Sequence, residues 1–215
     1  MTIKIVLADD HALLREGLSS ILNNQEDITI VGEASNGREA IQCVEQLHPD
    51  IVLMDITMPI LNGIDATEQI RKKFSHTQVI ILSMHITAEY VHRSLKAGAL
   101  AYILKQSAGR EVVDAIRSVY AGRRYLSEKI SDILMDHQIY GNFKPKSKSP
   151  IERLSTRERE ILQLVVEGKS SAEIGDALSL SRSTIETYRS RLMSKLDVKN
   201  VPALVKFAMK HGLTE

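Results

Sequence analysis

The sequence predicts an α/β domain with a five-stranded parallel sheet, followed by an all-α domain that contains a helix-turn-helix. Short apolar runs alternate with amphipathic stretches up to about residue 122, as expected for βα units around a parallel sheet. From residue 152 onward the pattern is helical throughout. The charge balance also changes, from 13 basic and 15 acidic side chains in residues 1–125 to 15 and 12 in residues 126–215. These observations predict two domains of different composition.

The bulk composition favours an intracellular globular protein. A chain of 215 residues suits one medium and one small domain, and 43% hydrophobic residues is ordinary for globular proteins. The lone Cys43 offers neither a disulfide framework nor a cysteine metal site, which favours a reducing compartment. The sequence shows neither a basic and apolar leader nor an apolar run of about 18 residues. We therefore expect a cytoplasmic location and no membrane partner.

The first domain is predicted from five strands, each followed by a helix. Every predicted helix has apolar residues at three- and four-residue spacing, which gives it one buried face. The predicted strands are Ile3–Ala8, Ile28–Ala34, 51–54, 79–83 and Ala101–Leu104, and the helices lie near 11–22, 38–47, 64–74, 88–97 and 109–121. Ligands of open parallel sheets bind beyond the carboxyl ends of the strands, so functional residues are expected there.

The remaining chain divides into a linker, residues 123–151, and a second domain, residues 152–215. The linker begins with one amphipathic stretch, residues 127–140, and continues into a basic segment with glycine and proline that we expect to be flexible. In the second domain, Ser155 and Glu158 have the spacing of a capping box at a helix start. Helices are predicted near 156–167, Ser171–Leu178, Arg182–Leu196 and 202–211.

Polar residues follow four of the five predicted strands, and a parallel sheet brings them to one edge. Taken singly, each has an ordinary interpretation as a helix cap, a turn, a strand end or a surface charge. Together, neighbouring carboxylates would attract a hard cation such as Mg²⁺, while an ammonium group would stabilise a transferring phosphoryl group. The residues concerned are Asp9 and Asp10 after the first strand, Asp55 after the third, Ser83 at the fourth and Lys105 after the fifth.

Residues 1–122 resemble a CheY-like receiver domain, which has a doubly wound, flavodoxin-like fold. The matching residues are Asp9-Asp10-His11, Asp55, Met58-Pro59, Asn62-Gly63, Ser83, Tyr102 and Lys105, whereas Gln106 stands where receivers usually have proline. The resemblance implies that Asp55 accepts a phosphoryl group from a sensor histidine kinase, with Ser83 and Lys105 assisting. It further implies a switch pair, Ser83 and Tyr102, and a Mg²⁺ site formed by Asp9, Asp10, Asp55 and the backbone carbonyl of Thr57. His11 and His85 lie near this site, where a helix-start or solvent role is expected for them.

The second domain contains two predicted helices separated by Ser179-Leu180-Ser181, which is the spacing of a helix-turn-helix. On the second helix, Ile185, Tyr188, Leu192 and Leu196 form one apolar stripe, which leaves a polar face directed outward. That face could enter a DNA major groove, but a protein-binding helical bundle remains the alternative interpretation at this point.

Residues 152–215 resemble the tetrahelical DNA-binding domain of the LuxR/NarL/FixJ class. The resemblance rests on 154–162, Glu173-Ile174, 181–188 and 195–200, while Glu186 and Tyr188 stand where many relatives have lysine and histidine. It implies a NarL/FixJ-type two-component response regulator, a transcription regulator rather than an enzyme apart from self-catalysed phosphoryl transfer and slow autodephosphorylation. Expected partners are double-stranded DNA, RNA polymerase and a second copy of the chain upon phosphorylation. Expected DNA contacts are Ser183, Thr184, Glu186, Thr187, Ser190, Arg191 and Lys195.

Two other classes compete with this interpretation. Haloacid-dehalogenase-like phosphatases also use an aspartate after a parallel strand, but they place a second aspartate two residues later, where this chain has Thr57. A phosphorylation-controlled protein adaptor would share the first domain and lack DNA binding. Binding to genomic DNA at low salt, where phosphate contacts are strongest, distinguishes the adaptor from the regulator.

Overall fold

A computed structural model describes residues 2–139 and 150–210. The chain divides into two compact units, Met1–Phe143 and Lys144–Glu215, which are described separately below. Most of the segment predicted as a flexible linker, residues 141–149, lies outside the described residues. None of the described helices is long and apolar enough to cross a membrane.

The first unit consists of alternating strands and helices, as the sequence predicts. The element bounds agree with the predicted ones to within about one residue. The strands are β1 Ile3–Ala8, β2 Ile28–Ala34, β3 Ile51–Asp55, β4 Gln78–Ser83, β5 Ala101–Leu104 and β6 Tyr125–Leu126. The helices are α1 Ala12–Asn23, α2 Gly37–Leu47, α3 Gly63–Lys73, α4 Ala88–Lys96, α5 Ala108–Tyr120 and α6 Glu128–Ile139.

The strands form one parallel sheet in the order β2-β1-β3-β4-β5-β6, with a core on each face. Successive residues of a strand point to opposite faces, so each central strand contributes to both cores. In β1, Val6 packs in the cluster that includes α2, α3 and α4, whereas Ile5 and Leu7 pack with α1 and α5. Burial on both faces explains why these strands are continuous apolar runs.

The sheet has one strand more than the five predicted. β6 pairs with β5 in parallel, Ala101 opposite Tyr125 and Tyr102 opposite Leu126, within the segment assigned to the linker. A strand of two residues is too short to show a period in the sequence, which is why the prediction missed it. The amphipathic stretch after it forms α6, which packs against α4 with Ile130 fully buried. The first unit therefore extends beyond residue 122.

The second unit is helical, and its helices have clear starting signals. It contains a short 3-10 helix, Pro150–Arg153, followed by α7 Thr156–Val166, α8 Ser171–Leu178, α9 Arg182–Leu196 and α10 Val201–Lys210. The predicted capping box between Ser155 and Glu158 is present, and a second one joins Ser170 and Glu173 at α8. These caps satisfy amide groups that would otherwise lack partners at the helix starts.

The turn between α8 and α9 depends on a close backbone approach. The amide of Leu180 donates to the carbonyl of Gly175 at 2.9 Å, and a Cβ at Gly175 would lie 2.6 Å from the Leu180 carbonyl oxygen. Ser179 adopts a left-handed conformation with φ of 52°, and Ser181 then caps α9 by accepting from the Thr184 amide. The predicted helix-turn-helix spacing is confirmed.

Candidate functional site

Four of the residues singled out in the sequence lie at one edge of the sheet. Asp9 follows β1, Asp55 ends β3, Ser83 ends β4 and Lys105 follows β5, and these four strands are consecutive neighbours. The edge lies where the chain order of the sheet reverses, between β1 and β3, and open parallel sheets bind ligands at this point.

Lys105 connects the two buried carboxylates of this edge. Its Nζ lies 2.8 Å from Asp9 Oδ2 and 2.9 Å from Asp55 Oδ2, and its side chain is only 7% exposed. Apart from this ion pair, neither oxygen has a hydrogen-bond partner among the described residues. Buried charged oxygens with so few partners are costly, so the arrangement is suited to receiving further cationic or donor groups.

The charges at this edge perturb each other strongly. Burial raises the pKa of Asp55 to about 6, the Asp9 charge acts in the same direction, and Lys105 opposes both. Burial alone would lower the pKa of Lys105, but Asp55 and Asp9 outweigh it and raise that pKa, which keeps the ammonium charged. The edge therefore has an excess of negative charge that one ammonium does not balance.

The same edge can accommodate a metal ion. One ligand atom from each of Asp9, Asp10, His11 and Asp55 lies within 4.8 Å of the others. The donor set consists mainly of carboxylate oxygens, two of them buried with only the Lys105 ammonium beside them, which fits a hard divalent cation. His11 is the residue before α1, as expected, and its Nδ1 also lies 2.8 Å from Asp10 Oδ1 and 3.1 Å from Asp9 Oδ1.

Gly63, at the start of α3, allows the chain to pass directly beside Asp55. A Cβ at this position would collide with the carbonyl oxygen of Asp55, so no larger residue fits without moving the loop. Asn62 is buried and caps α3 by accepting from the Asp65 amide at 2.9 Å. These local requirements explain the Asn62-Gly63 pair, because the loop after Asp55 must turn closely past the backbone carbonyl of Asp55.

Ser83 and Tyr102 are both hydrogen-bonded to the backbone of His85. Ser83 Oγ accepts from the His85 amide at 2.9 Å, and the Tyr102 hydroxyl donates to the His85 carbonyl at 2.8 Å. Tyr102 is fully buried, and burial raises the pKa of its hydroxyl above the usual range. The His85 ring stacks on Tyr90 of α4, with centroids 4.3 Å apart, and its Nε2 lies 3.2 Å from Thr57 Oγ1.

The structure adds residues that the sequence did not indicate. Arg15 on α1 donates from Nη1 to the carbonyl of Asp9 at 2.6 Å and pairs with Glu33 through Nε, so it holds the backbone of the acidic edge. The His85 backbone contacts are equally absent from the sequence prediction. No sequence pattern identifies such partners, because they meet only after α1 and the β4–α4 loop are in place.

In the second unit, the outer face of α9 has the predicted polar character. Ile185, Leu192 and Leu196 are buried, whereas Ser183, Glu186, Thr187, Ser190 and Arg191 are exposed. Thr184 is half-buried, and its hydroxyl lies 2.7 Å from that of Ser181 at the helix start.

Lys195 also has a contact that the sequence did not suggest. Its Nζ lies 2.7 Å from Glu158 Oε1 and 2.8 Å from Oε2, which ties the capping box of α7 to the last turn of α9. Burial opposes ionisation of Glu158, but the Lys195 ammonium and the Ser155 amide and hydroxyl outweigh it and lower the pKa of Glu158. Lys195 thus has a structural contact within the unit beside its predicted contact with DNA.

Family models match both units of the chain. Residues 5–117 match the response regulator receiver domain, and residues 152–208 match the bacterial regulatory proteins of the luxR family. The first match ends near the end of α5, and the second covers α7 to α9 and most of α10.

One curated relative and one solved structure align over nearly the whole chain, and a second solved structure aligns over about two thirds of it. The oxygen regulatory protein NreC of Staphylococcus epidermidis is 39% identical over 216 residues, covering 99% of both chains. Among solved structures, a LuxR-family response regulator from Aurantimonas matches 65% of this chain and 99% of its own with a TM-score of 0.62 and 34% identity. The RcsB response regulator of Salmonella typhimurium matches 97% of this chain and 98% of its own, with a TM-score of 0.60 and 26% identity.

Proposed function

Because the chain belongs to the two-component response regulators with a receiver domain and a LuxR-type DNA-binding domain, we propose that phosphorylation of Asp55 controls its sequence-specific binding to DNA. The single observation that supports Asp55 as the acceptor is its position, buried at the sheet edge with Asp9 and paired with Lys105. The proposed domains are a receiver, predicted over 1–122 and sharing its compact unit with β6 and α6, a linker within the predicted 123–151 and a DNA-binding domain over 152–215. Since DNA is the target, we place the protein in the cytoplasm.

In the proposed reaction, an Asp55 carboxylate oxygen attacks the phosphorus of a phosphohistidine on a sensor kinase. The new P–O bond of the phosphoaspartate forms as the bond from phosphorus to the histidine nitrogen breaks, and the histidine leaves with the bonding electrons. Lys105, already 2.9 Å from Asp55 Oδ2, is placed to stabilise charge on the incoming phosphoryl oxygens. Ser83 at the end of β4 then donates its hydroxyl to one of them.

We assign a Mg²⁺ site to this edge, held by Asp9, Asp10, Asp55 and the backbone carbonyl of Thr57. The fit rests on the clustered carboxylates and on their two buried oxygens, which have only the Lys105 ammonium beside them. When bound, Mg²⁺ supplies positive charge that neutralises the carboxylates and the phosphoryl oxygens.

Ser83 and Tyr102 form the proposed switch through their shared contact with His85. If Ser83 donates to a phosphoryl oxygen, its hydrogen bond from the His85 amide must weaken or rearrange. That change would affect Tyr102, whose hydroxyl donates to the His85 carbonyl. It would also affect α4, because the His85 ring stacks on Tyr90 of that helix. Hydrogen bonds to the His85 backbone and the stack of its ring on Tyr90 thus connect the proposed reactive edge to α4.

The Thr57 and His85 side chains are expected to set the lifetime of the phosphoaspartate. Thr57 Oγ1 and His85 Nε2 lie 3.2 Å apart, on the loops that follow Asp55 and Ser83, and are proposed to admit or orient water there. Thr57→Ala and His85→Ala should each change the dephosphorylation rate severalfold and leave Mg²⁺ affinity nearly unchanged, as measured by intact mass over time and by calorimetry. Thr87→Ala is the matched control, because Thr87 is exposed and makes no side-chain capping bond. Unchanged lifetimes in both variants would remove these residues from the mechanism.

The output proposed for the second unit is recognition of double-stranded DNA by α9. Its N-terminal part is exposed and polar, and helix-turn-helix proteins use this part of the recognition helix to contact base edges. The contacts proposed are Ser183, Thr184, Glu186, Thr187, Ser190, Arg191 and Lys195. RNA polymerase and a second copy of the chain are further proposed partners.

The proposed function is tested by measuring DNA affinity before and after phosphorylation. The full chain, treated with acetyl phosphate and Mg²⁺, should bind a selected duplex more tightly than the untreated chain by about 5- to 150-fold, the usual range of allosteric coupling. Equal affinity in the two states would contradict control by Asp55. No binding to genomic DNA at low salt would instead favour the adaptor interpretation.

A further inference from the structure

An exposed ion pair lies on the outer face of α9, within its first two turns. Arg182 Nε donates to Glu186 Oε1 at 2.9 Å, one helical turn further along the chain. The two side chains are 73% and 54% exposed, so both are available to a ligand at this face.

This ion pair contributes little to the stability of the helix. Exposed ion pairs four residues apart stabilise a helix only slightly, because water and salt screen the two charges. The start of α9 is already capped by Ser181, whose hydroxyl accepts from the Thr184 amide at 3.1 Å. The ion pair is therefore dispensable for folding. The orientation that it gives to the two side chains matters more for a ligand that approaches this face of α9.

The geometry leaves the far end of the arginine free to recognise a ligand. Only Nε of the guanidinium is engaged by Glu186, and the two terminal nitrogens have no partner among the described residues. Two terminal N–H groups in a planar fork match guanine O6 and N7, the commonest specific contact in the major groove. The neighbouring side chains on this face, Ser183 and Thr187, are short and do not block the arginine.

The ion pair also reduces the electrostatic repulsion between Glu186 and DNA phosphates. A lone glutamate on a recognition helix would be repelled by DNA phosphates, whereas the Arg182–Glu186 pair carries no net charge. The carboxylate can then approach base edges while it holds the guanidinium in one orientation.

We propose that Arg182 reads a guanine in the major groove and that Glu186 is the residue that positions it. This inference rests on the proposed function, since it requires that α9 bind DNA. It adds Arg182 to the predicted contacts and gives Glu186, predicted as a DNA contact itself, the role of a support for the arginine.

The test is selection from a randomised duplex library with the full chain, treated with acetyl phosphate and Mg²⁺. The wild type should enrich guanine at one half-site position, and Arg182→Lys should lose about tenfold of that preference, because lysine keeps the charge without the fork. Glu186→Ala should weaken the preference at the same position, and Glu186→Gln, which still offers an acceptor oxygen, should restore part of it. Arg191→Ala is the control, and it should weaken binding to all DNA sequences alike.

Two results would overturn the inference without touching the proposed function. One is an Arg182→Lys variant that keeps the wild-type base preference, and the other is a Glu186→Ala variant that changes preference at a different position from Arg182→Lys. If the wild type enriches no sequence at all, sequence-specific binding fails and the inference fails with it. Circular dichroism and thermal unfolding of each variant should match the wild type, because both side chains are exposed.

Discussion

The Asp55→Asn variant is expected to take up no phosphoryl group from acetyl phosphate in the presence of Mg²⁺. The substitution replaces the nucleophilic carboxylate with an amide of nearly the same size, so it removes the reaction and preserves the shape of the site. The wild type should gain one phosphoryl group, located at Asp55 by peptide mapping, and the variant none within detection by intact mass. EDTA should abolish uptake in the wild type, because the crowded carboxylates then lack their cation.

A matched control lies next to the other end of β3. Asp50 precedes β3 at the opposite end from Asp55 and accepts from the Lys4 amide at 2.8 Å, far from the acidic edge. Asp50→Asn should therefore react at the wild-type rate. Uptake by Asp55→Asn at that rate, or reaction of the wild type unaffected by EDTA, would show that the assigned acceptor or the metal site is wrong.

The sequence predicted the fold well because the central strands β3, β4 and β5 are buried on both faces. A fully buried strand such as β3 is a continuous apolar run, and the polar residue at its end is then conspicuous. This is why Asp55 could be assigned to the same edge as Asp9 without a structure. β6 escaped prediction for the opposite reason, since two half-buried residues leave no pattern.

Contacts between distant parts of the chain were less predictable than the site itself. That Ser83 and Tyr102 share the His85 backbone depends on the path of the β4–α4 loop, which no residue spacing reveals. The ion pair of Lys195 with Glu158 spans 37 positions and required α7 and α9 to be packed. By contrast, Arg182 and Glu186 are four residues apart, a spacing that marks neighbours on a helix surface. This spacing indicates the ion pair from the sequence alone, although only Glu186 is among the DNA contacts predicted there.

Phosphorylation is expected to produce a symmetric dimer that reads two half-sites through α9. A single helix-turn-helix contacts too few base pairs for specificity in a genome, whereas a two-fold pair doubles the contacts. Half-sites should therefore recur at about 10 base pairs or a multiple, the repeat of the double helix. Light scattering of the full chain should show the shift from monomer to dimer on treatment with acetyl phosphate.

The spacing of the half-sites gives the sharper measurement. Inserting about 5 base pairs turns one half-site to the other side of the duplex, and affinity should fall on the order of 10²-fold as the second contact is lost. Inserting about 10 base pairs should restore part of the affinity, because both half-sites then lie on the same side of the duplex again. Arg191→Ala, if Arg191 contacts a phosphate, should weaken every duplex and reduce the salt slope by about one, leaving the dependence on spacing intact. A phosphorylated protein that stays monomeric and binds one half-site as tightly as two would contradict the paired recognition proposed for α9.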